Sequence, residues 1–588
     1  MSVNSDLSDL FARFASLMDL KGESAFKSIA FSKVSRLLKD ATFDVAEIAR
    51  SGKLKTVEGI GPSSQKIIEE FLATGMSSDL DQVAAGIPEG LIKMLQIPGL
   101  GPKTVRLFWQ ERAITSVEQL EVAIASGALA GLKGVGEKKI VAISQGIALL
   151  KSSAGRLGIA EAQAIALPLL EQLRALPQVK QAEIAGSLRR RKETIGDVDL
   201  VCCLRSGNHT GESVTAAFAA FTGVQRVLGQ GATKASVLTE SGLQVDCRVV
   251  PEENFGAALL YFTGSKEHNV KVRSLALDNG LTLNEWGLYK TADHDQAEKH
   301  TGHPPKLKPL ASRTEADIYA ALSLPLIPPE LREDRGETTN PLPTLISESD
   351  LRGDLHCHTT ASDGQATIEQ MARAAIDLGY EYLAITDHSK SQTIANGLSA
   401  ERLLAHIAAI HAVGKKLKGI TLLAGCEVDI LADGSLDFPD EILEQLDWVV
   451  ASPHVALRQD PDKANPRILR AIANPYVHVI GHPTGRLINA REGLPLDFPT
   501  IIAAAKQHSV ALEINSGYPR LDLSETPARM AAQAGALLSL NTDAHSTPGL
   551  SERQWGLGIA RRAWISPPSV INTWPLKKLR AWIQAKRA

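Results

Sequence analysis

The sequence lacks the features that would place a protein in an oxidising compartment or in a bilayer. Its 588 residues include five cysteines, at 202, 203, 247, 357 and 426, and no C-x-x-C pair. So few thiols, odd in number, exclude a disulfide framework and a thiolate zinc site and fit a reducing cytosol. No apolar run reaches the ~20 residues of a spanning helix. The opening stretch, MSVNSDLSDLFARF, carries acids in an amphipathic pattern where a secretion signal would be apolar. Charge of one sign is also missing: 63 basic and 66 acidic side chains leave a net −3. Nucleic-acid binding, if present, must therefore come from local patches. A cytoplasmic protein is expected. With 44% apolar and 22% charged residues in a chain of this length, roughly three to five globular domains are expected.

Histidine is the residue present out of proportion. Ten of the 15 lie among the last 238 residues, which marks the C-terminal part as a candidate metal or acid–base domain.

Residues 1–155 have helical periodicity broken by short glycine turns. Three turns share one pattern: VEGIGPSSQKI (57–67), IPGLGPKTVRLF (97–108) and LKGVGEKKIVAI (132–143). Each is Gly-apolar-Gly leading into a helix: Gly59 and Gly61, Gly99 and Gly101, Gly134 and Gly136. The glycines allow a tight turn, and the free N–H groups of the following helix can hold a DNA backbone phosphate. A single such turn is an ordinary helix connection. Three copies, spaced by 40 and 35 residues, resemble the helix-hairpin-helix family of sequence-independent DNA binders.

From about 156 to 325 strand-like and helical runs mix. In GDVDLVCCL, Asp197 and Asp199 fall on one strand face while Val198 and Leu200 enter a core. LQVDCRVV adds Asp246, again an acid inside a strand pattern. A buried carboxylate is costly without a cation. Three on adjacent strands can hold two Mg²⁺ or Mn²⁺ ions for in-line phosphoryl transfer. Gly186 and Ser187 end the preceding strand and open a helix beside Arg189, Arg190 and Arg191, a combination suited to phosphate.

This order, glycine-serine and then D-x-D, resembles the nucleotidyltransferase superfamily. The stretch YFTGSKEHNVKVRSLALDNGLTLNEWGLY (261–289) closely resembles the thumb-side segment of family X DNA polymerases. The resemblance implies that Asp197, Asp199 and Asp246 are metal ligands and that Ser187 and Arg190 bind triphosphate oxygens. It also sets Tyr261 and Phe262 against the incoming sugar and base, Gly264 near the 2′ position, Asn269 at the minor-groove edge and Arg273 on the template. In relatives with 5′-deoxyribose-phosphate lyase activity, a Schiff-base lysine follows the first hairpin. Ile67 stands at that position, with Lys66 one residue earlier and turned away by ~100°. A nearby lysine for the 5′-phosphate is replaced by Ser63.

Residues 325–349 are proline-rich and polar, a linker composition. Beyond them, seven strand-like segments carry polar residues at their C-terminal ends: DLHCH (354–358), LAITDH (383–388), LLAGCEVD (422–429), WVVASPH (448–454), VHVIGHP (477–483), ALEINS (511–516) and LLSLNTDAH (537–545). Alternation with amphipathic helices predicts a (βα) barrel, distorted because it has seven units. Clustered histidines beside carboxylates indicate metal binding. The set closely resembles the PHP (polymerase and histidinol phosphatase) domain. That family's trinuclear site maps onto His356, His358, Asp363, His388, Glu427, His454, His482, Asp543 and His545, for up to three ions of Zn²⁺, Mn²⁺ or Fe²⁺. Asp387 is expected to orient a histidine. His406, His411 and His508 are expected on helix surfaces.

The whole resembles the bacterial and archaeal PolX arrangement, a multidomain α+β and α/β protein. It implies a lyase-like helical domain (1–78), a fingers-type domain with two hairpins (79–155), a nucleotidyltransferase palm (156–255), a thumb (256–325), a linker (326–349) and a PHP domain (350–588). The expected function is gap-filling DNA synthesis from dNTPs on gapped or primer–template DNA by a monomer. Hydrolysis of DNA phosphoesters at 3′ ends, and cutting at abasic sites, would fall to the PHP domain. Two other readings are weighed against it. In one, the N-terminal half is a DNA-binding tether for a PHP phosphoesterase; in the other, the chain is a template-independent nucleotidyltransferase. All three palm carboxylates are present against the first, and the hairpins and thumb segment stand against the second.

Overall fold

The structure is a computed structural model. It describes residues 3–22, 25–39, 45–57, 59–95, 97, 100–153, 156–205, 207, 209–296 and 307–587. Two units are compact: residues 1–154 with 489–491, and residues 155–488 with 492–588.

The first unit is helical. In Val3–Lys21, Leu7, Phe11, Phe14 and Met18 recur at helical spacing and are buried. Phe11, Phe14 and Phe31 meet with ring centroids 5.2–6.3 Å apart. The three glycine turns close alike. Ile60 N–H donates to Val57 O, Leu100 N–H to Ile97 O and Val135 N–H to Leu132 O. The middle residue of each turn, Ile60, Leu100 or Val135, is buried. It anchors the turn in the core and leaves the following glycine outward. Gly61 and Gly101 cap helices Pro62–Thr74 and Pro102–Arg112, and Gly136 precedes Glu137–Ser153. A Cβ at any of these three would meet nothing within 4 Å. Gly59 and Gly134 have φ of +95° and +79°, a region that favours glycine. Gly99 lies outside the described residues.

The second unit begins with a five-stranded sheet: β1 (Val179–Ile184), β2 (Asp197–Leu204), β3 (Val224–Gln230), β4 (Lys234–Thr239) and β5 (Gln244–Val250). Their order is β1-β2-β5-β4-β3, with β2 and β5 parallel and the other pairs antiparallel. Val198, Leu200 and Cys202 pack one face against helices Ile159–Arg174 and Gly211–Ala219. Val201 and Cys203 pack the other against Phe255 and Leu259 of helix Phe255–Thr263. That second covering stops at Val201. Asp199 and Asp197, two and four residues earlier on the same face, fall beyond it.

Helices Lys266–Asp278 and Glu315–Ala321 and hairpin Leu281–Lys290 share a further core. Ile327 and Leu331 belong to it, and Arg332 and Glu337 are also buried. The stretch expected as a linker is therefore packed. Its prolines frame a 3₁₀ turn, Pro329–Leu331, and its charges find partners: Glu337 accepts from the Asp334 and Arg335 N–H groups and pairs with His268 Nδ1 at 2.6 Å.

The last part is a parallel barrel of seven strands in chain order: β6 (Gly353–Cys357), β7 (Tyr382–Ile385), β8 (Thr421–Asp429), β9 (Trp448–Ser452), β10 (Val479–Ile480), β11 (Ala511–Asn515) and β12 (Leu538–Asn541). Asp543 N–H to His356 O and His358 N–H to Ala544 O, both 2.9 Å, join the last strand to the first. Leu355, Tyr382, Trp448, Val450 and Val479 cluster with Trp574, Leu579 and Ile583 of the C-terminal segment. The polar residues gather at the opposite, C-terminal ends of the strands. Native-state trypsin digestion with mass-spectrometric mapping is expected to spare the bonds after Arg332 and Arg335 until the unit unfolds. Early cleavage there would show a tether instead.

Two candidate metal centres

In the palm, the parallel register sets Asp199 beside Asp246 and Asp197 beside Gln244. Asp197 is exposed, Asp199 partly buried and Asp246 buried. Burial, then the charges of Asp197 and Asp246, push Asp199 up to about 6. Burial also raises Asp246, but Lys234, Ser236 and Gln244 outweigh it and hold that carboxyl below its usual range. Lys234 Nζ stands 2.6 Å from Asp246 Oδ2, a partner the sequence pattern did not single out. The set fits a cation: one carboxylate already draws an ammonium, and another is raised by its neighbours.

Gly186 follows β1 with φ +62°, and a Cβ there would lie 2.6 Å from Asp199 Oδ2. Only glycine lets the Ser187 turn approach the acids. Arg189 pairs with Glu315 at 2.7 Å and Arg190 Nε with Glu333 at 3.0 Å. Arg190 Nη1 also donates to Thr263 O at 2.5 Å, so the arginine expected on triphosphate is in contact with the loop that carries Gly264. Tyr261 and Phe262 meet edge to face at 5.1 Å. Arg248, two residues past Asp246, lies 4.5 Å over the Phe262 ring. Asn269 Nδ2 donates to Tyr261 O at 2.7 Å, while its Oδ1 is buried without a partner. Arg273 is exposed on the same helix. Phe262 and Gly264 thus meet, through Arg248 and Arg190, the strand and the turn beside the acids, and Asn269 is tied to Tyr261.

At the barrel mouth all nine predicted residues come together. Three groups have ligand atoms within 4.8 Å of one another: His358, Asp363, His388 and His545; His356, His358, Glu427 and Asp543; His388, Glu427 and His454. His482 joins through Nε2, 2.9 Å from Glu427 Oε1. Glu427, on β8, is the hub. His356, His358, His388 and His454 also approach its oxygens, at 2.9–3.6 Å. His356, His358, His482 and Glu427 are buried, whereas Asp363 and His545 are about a third exposed, so the site opens on their side. His482 and Asp543 have φ of +25° and +56°, strain of a kind that gathers at functional sites.

The donor atoms fit metal ions. Buried and without hydrogen-bond partners are His356 Nε2, both His358 nitrogens, His388 Nδ1, Glu427 Oε2, His454 Nε2, His482 Nδ1 and Asp543 Oδ1. So many orphaned donors and acceptors in one place would be costly unless a cation meets them. Burial, with His545 and His388 beside it, pulls His358 down to about 4, which leaves a neutral imidazole free to ligate. Burial opposes charge on His388 as well, but Glu427 and Asp363 lift it to about 10.

Several positioning residues carry no local signature in the sequence. Glu513 Oε1 holds His356 Nδ1 at 2.8 Å, and its Oε2 accepts the His482 N–H at 2.6 Å. Asp429 holds His454 Nδ1 at 2.5 Å. Asp354 accepts from the His356 N–H and the Thr542 hydroxyl. Asp387 does bond a histidine, but one outside the cluster: His406 Nε2, at 2.8 Å. It also accepts from the hydroxyls and backbone N–H groups of Thr359 and Ser362, which fixes the loop after His358. His406 is thus buried, contrary to the surface expectation, because its helix lays that face on the Asp387 carboxylate. His411 is exposed and paired with Asp447, and His508 is half-buried.

Comparison with known proteins matches four stretches of the chain and, with one relative, nearly its whole length. Family models match at residues 2–77 (helix-hairpin-helix domain), 91–147 (SAM-like helix-hairpin-helix tandem), 258–333 (DNA polymerase beta thumb) and 354–516 (PHP domain). A Bacillus subtilis protein named DNA polymerase/3′-5′ exonuclease PolX is 35% identical over 583 residues, 98% of this chain and 99% of that one. A probable phosphatase of Thermoanaerobacter is 29% identical over 245 residues, 40% of this chain and 95% of the relative. Another, from Caldicellulosiruptor bescii, is 32% identical over 206 residues, 33% of this chain and 80% of its own length. With both metal-type centres in place and the first of these matches running almost end to end, the chain belongs to the PolX family, the family X DNA polymerases that carry a PHP domain.

Proposed function

We propose that this enzyme fills short DNA gaps by template-directed nucleotidyl transfer at the palm. It would then trim 3′ ends at the barrel mouth, as a 3′-5′ exonuclease and 3′-phosphodiesterase and as an endonuclease at abasic sites. The observation that carries the reading is the pairing of two separate cation-seeking sites in one unit, one half-open and one buried. It acts as a monomer in the cytoplasm; no described helix is long and apolar enough to cross a membrane.

At the palm, Asp197, Asp199 and Asp246 hold Mg²⁺ or Mn²⁺. Ions held there would lower the pKa of the primer hydroxyl and offset the charge of the triphosphate and the leaving pyrophosphate. The chain does the rest. Ser187 and Arg190 receive the triphosphate, Tyr261 and Phe262 face the sugar and base, and Gly264 admits the sugar. Asn269 reads the minor-groove edge, and Arg273 holds the template. The hairpin turns at Gly59–Gly61, Gly99–Gly101 and Gly134–Gly136 present N–H groups to DNA phosphates. The first hairpin has no lysine at the position where relatives with lyase activity form a Schiff base. Ile67 is buried in the core, and Lys66 is exposed and paired with Asp79 at 3.2 Å.

At the barrel, the nine clustered residues would hold up to three ions of Zn²⁺, Mn²⁺ or Fe²⁺, which would supply activation of water and positive charge for the phosphate. Glu513, Asp429 and the Asp543 carbonyl fix the rings of His356, His454 and His545 from behind. The exposed edge at Asp363 and His545 is where a 3′ end enters.

Two outcomes test this reading. On a gapped primer–template with dNTPs and Mg²⁺ or Mn²⁺, Asp246→Ala is expected to abolish extension and keep 3′ degradation, and His356→Ala to do the reverse. Normal extension by the first variant, or undiminished degradation by the second, would refute the corresponding assignment. The second test concerns stability. Asp199 has its carboxyl raised from 3.8 to about 6, so ionising it destabilises the fold. That cost grows as pH rises from ~4 to ~6 and is complete above. With EDTA present, Asp199→Asn should raise Tm by a few degrees at pH 8, at ~1 °C per kcal/mol for a unit of this size. The gain should be roughly halved at pH 5. An Asn variant that is less stable at both pH values would contradict the charge-repulsion account.

A further inference from the structure

The palm's arginine turn is held from the barrel side. Arg562 ends helix Arg553–Arg562 and is buried, 2% exposed. Its Nη1 donates to the Arg190 backbone carbonyl at 2.7 Å and to Glu333 Oε1 at 2.9 Å. Glu333 Oε1 is the same atom that accepts from Arg190 Nε at 3.0 Å. Arg562 Nε pairs with Glu525, which also meets Arg335 and, at 4.0 Å, Lys192. One guanidinium from the barrel domain thus grips the turn through its backbone and through the carboxylate that restrains its arginine.

The charge count gives this grip a direction. Glu333 serves Arg190 and Arg562; Glu525 serves Arg562, Arg335 and Lys192; Glu315 serves Arg189 and Arg332. Each of these three carboxylates is thus shared by at least two cations, and the Glu333 oxygen that meets Arg190 also meets Arg562. Were Glu333 shared with no second cation, it would neutralise Arg190. Shared with Arg562, it orients Arg190 and leaves a surplus of positive charge at the turn. Burial pushes the Glu333 carboxyl up, and Arg562 and Arg190 bring it below the usual range, so it stays a charged acceptor. One further donor of the fork, Arg562 Nη2, is buried with no acceptor.

We propose that Arg562 is a positioning residue for nucleotide binding, by which the PHP domain sets the affinity of the polymerase site for the incoming triphosphate. The inference rests on the reading that Arg190 receives that triphosphate. Arg562 touches neither substrate nor metal. It acts by fixing the backbone of the turn and by drawing on Glu333, so that Arg190 meets the phosphates in place and with its charge unspent.

The test is steady-state single-nucleotide insertion by the full chain on gapped DNA, with dNTP concentration varied. Arg562→Ala should raise KM for the nucleotide roughly tenfold and leave kcat within about twofold, the pattern of lost ground-state binding. Arg562→Lys keeps the charge but not the fork, and should fall between the two. In an Arg190→Ala background, Arg562→Ala should add nothing to KM. Unchanged KM for Arg562→Ala alongside raised KM for Arg190→Ala would overturn the coupling. Unchanged KM for Arg190→Ala would overturn the triphosphate reading itself. A purely architectural role would lower Tm and kcat together with KM unmoved, which also contradicts the proposal. If Arg562→Ala gives no cooperative melt, Arg562→Lys carries the same comparison.

Discussion

A buried carboxylate ringed by imidazoles organises the C-terminal half of this molecule. Glu427 is 1% exposed, and five histidines drawn from four other strand ends approach its two oxygens. Taking such a group out of water is affordable only if cations or donors replace the solvent. The rest of the barrel follows from that demand. Apolar residues fill the end closed by Trp574 and Ile583, which frees the other end to be wholly polar. Around it, Glu513 and Asp429 bond the outer nitrogens of His356 and His454 and so turn the inner ones toward the centre.

The palm solves the same problem differently. Its acids sit where an apolar covering ends: Val201 and Cys203 are packed, whereas Asp199 and Asp197 on the same face are not. Repulsion is relieved there by partial hydration, by Lys234 against Asp246 and, in the proposed cycle, by ions that arrive with substrate. A closed cage suits resident metals; a half-open ledge suits ions that come and go with a triphosphate. Between the two centres runs a set of shared ion pairs, Arg190–Glu333–Arg562–Glu525. Both domains are held in one unit by contacts that also touch the turn carrying Arg190.

Much of this was legible in the sequence because periodicity reports which face a residue takes. The D-x-D spacing put Asp197 and Asp199 on one face, and the seven polar strand ends gave the barrel and its nine clustered residues. Periodicity does not report partners far along the chain. Arg190 and Arg562 lie 372 residues apart, and His356 and Glu513 lie 157 apart, so neither pairing had a local signature. Composition misled in the stretch 326–349, where prolines and charges suggested a spacer. Ile327 and Leu331 were two apolar residues among polar ones, yet they complete the thumb core. Helical pattern likewise puts His406 on a surface, whereas the buried Asp387 carboxylate draws it in.

The most direct measurement is anomalous diffraction at the manganese edge from crystals of the full chain equilibrated with Mn²⁺. The account predicts peaks within ligand distance of Glu427, with that carboxylate shared between neighbouring ions, and a weaker peak beside Asp197, Asp199 and Asp246. Peaks confined to surface carboxylates, with the Glu427 cluster free of them, would contradict it.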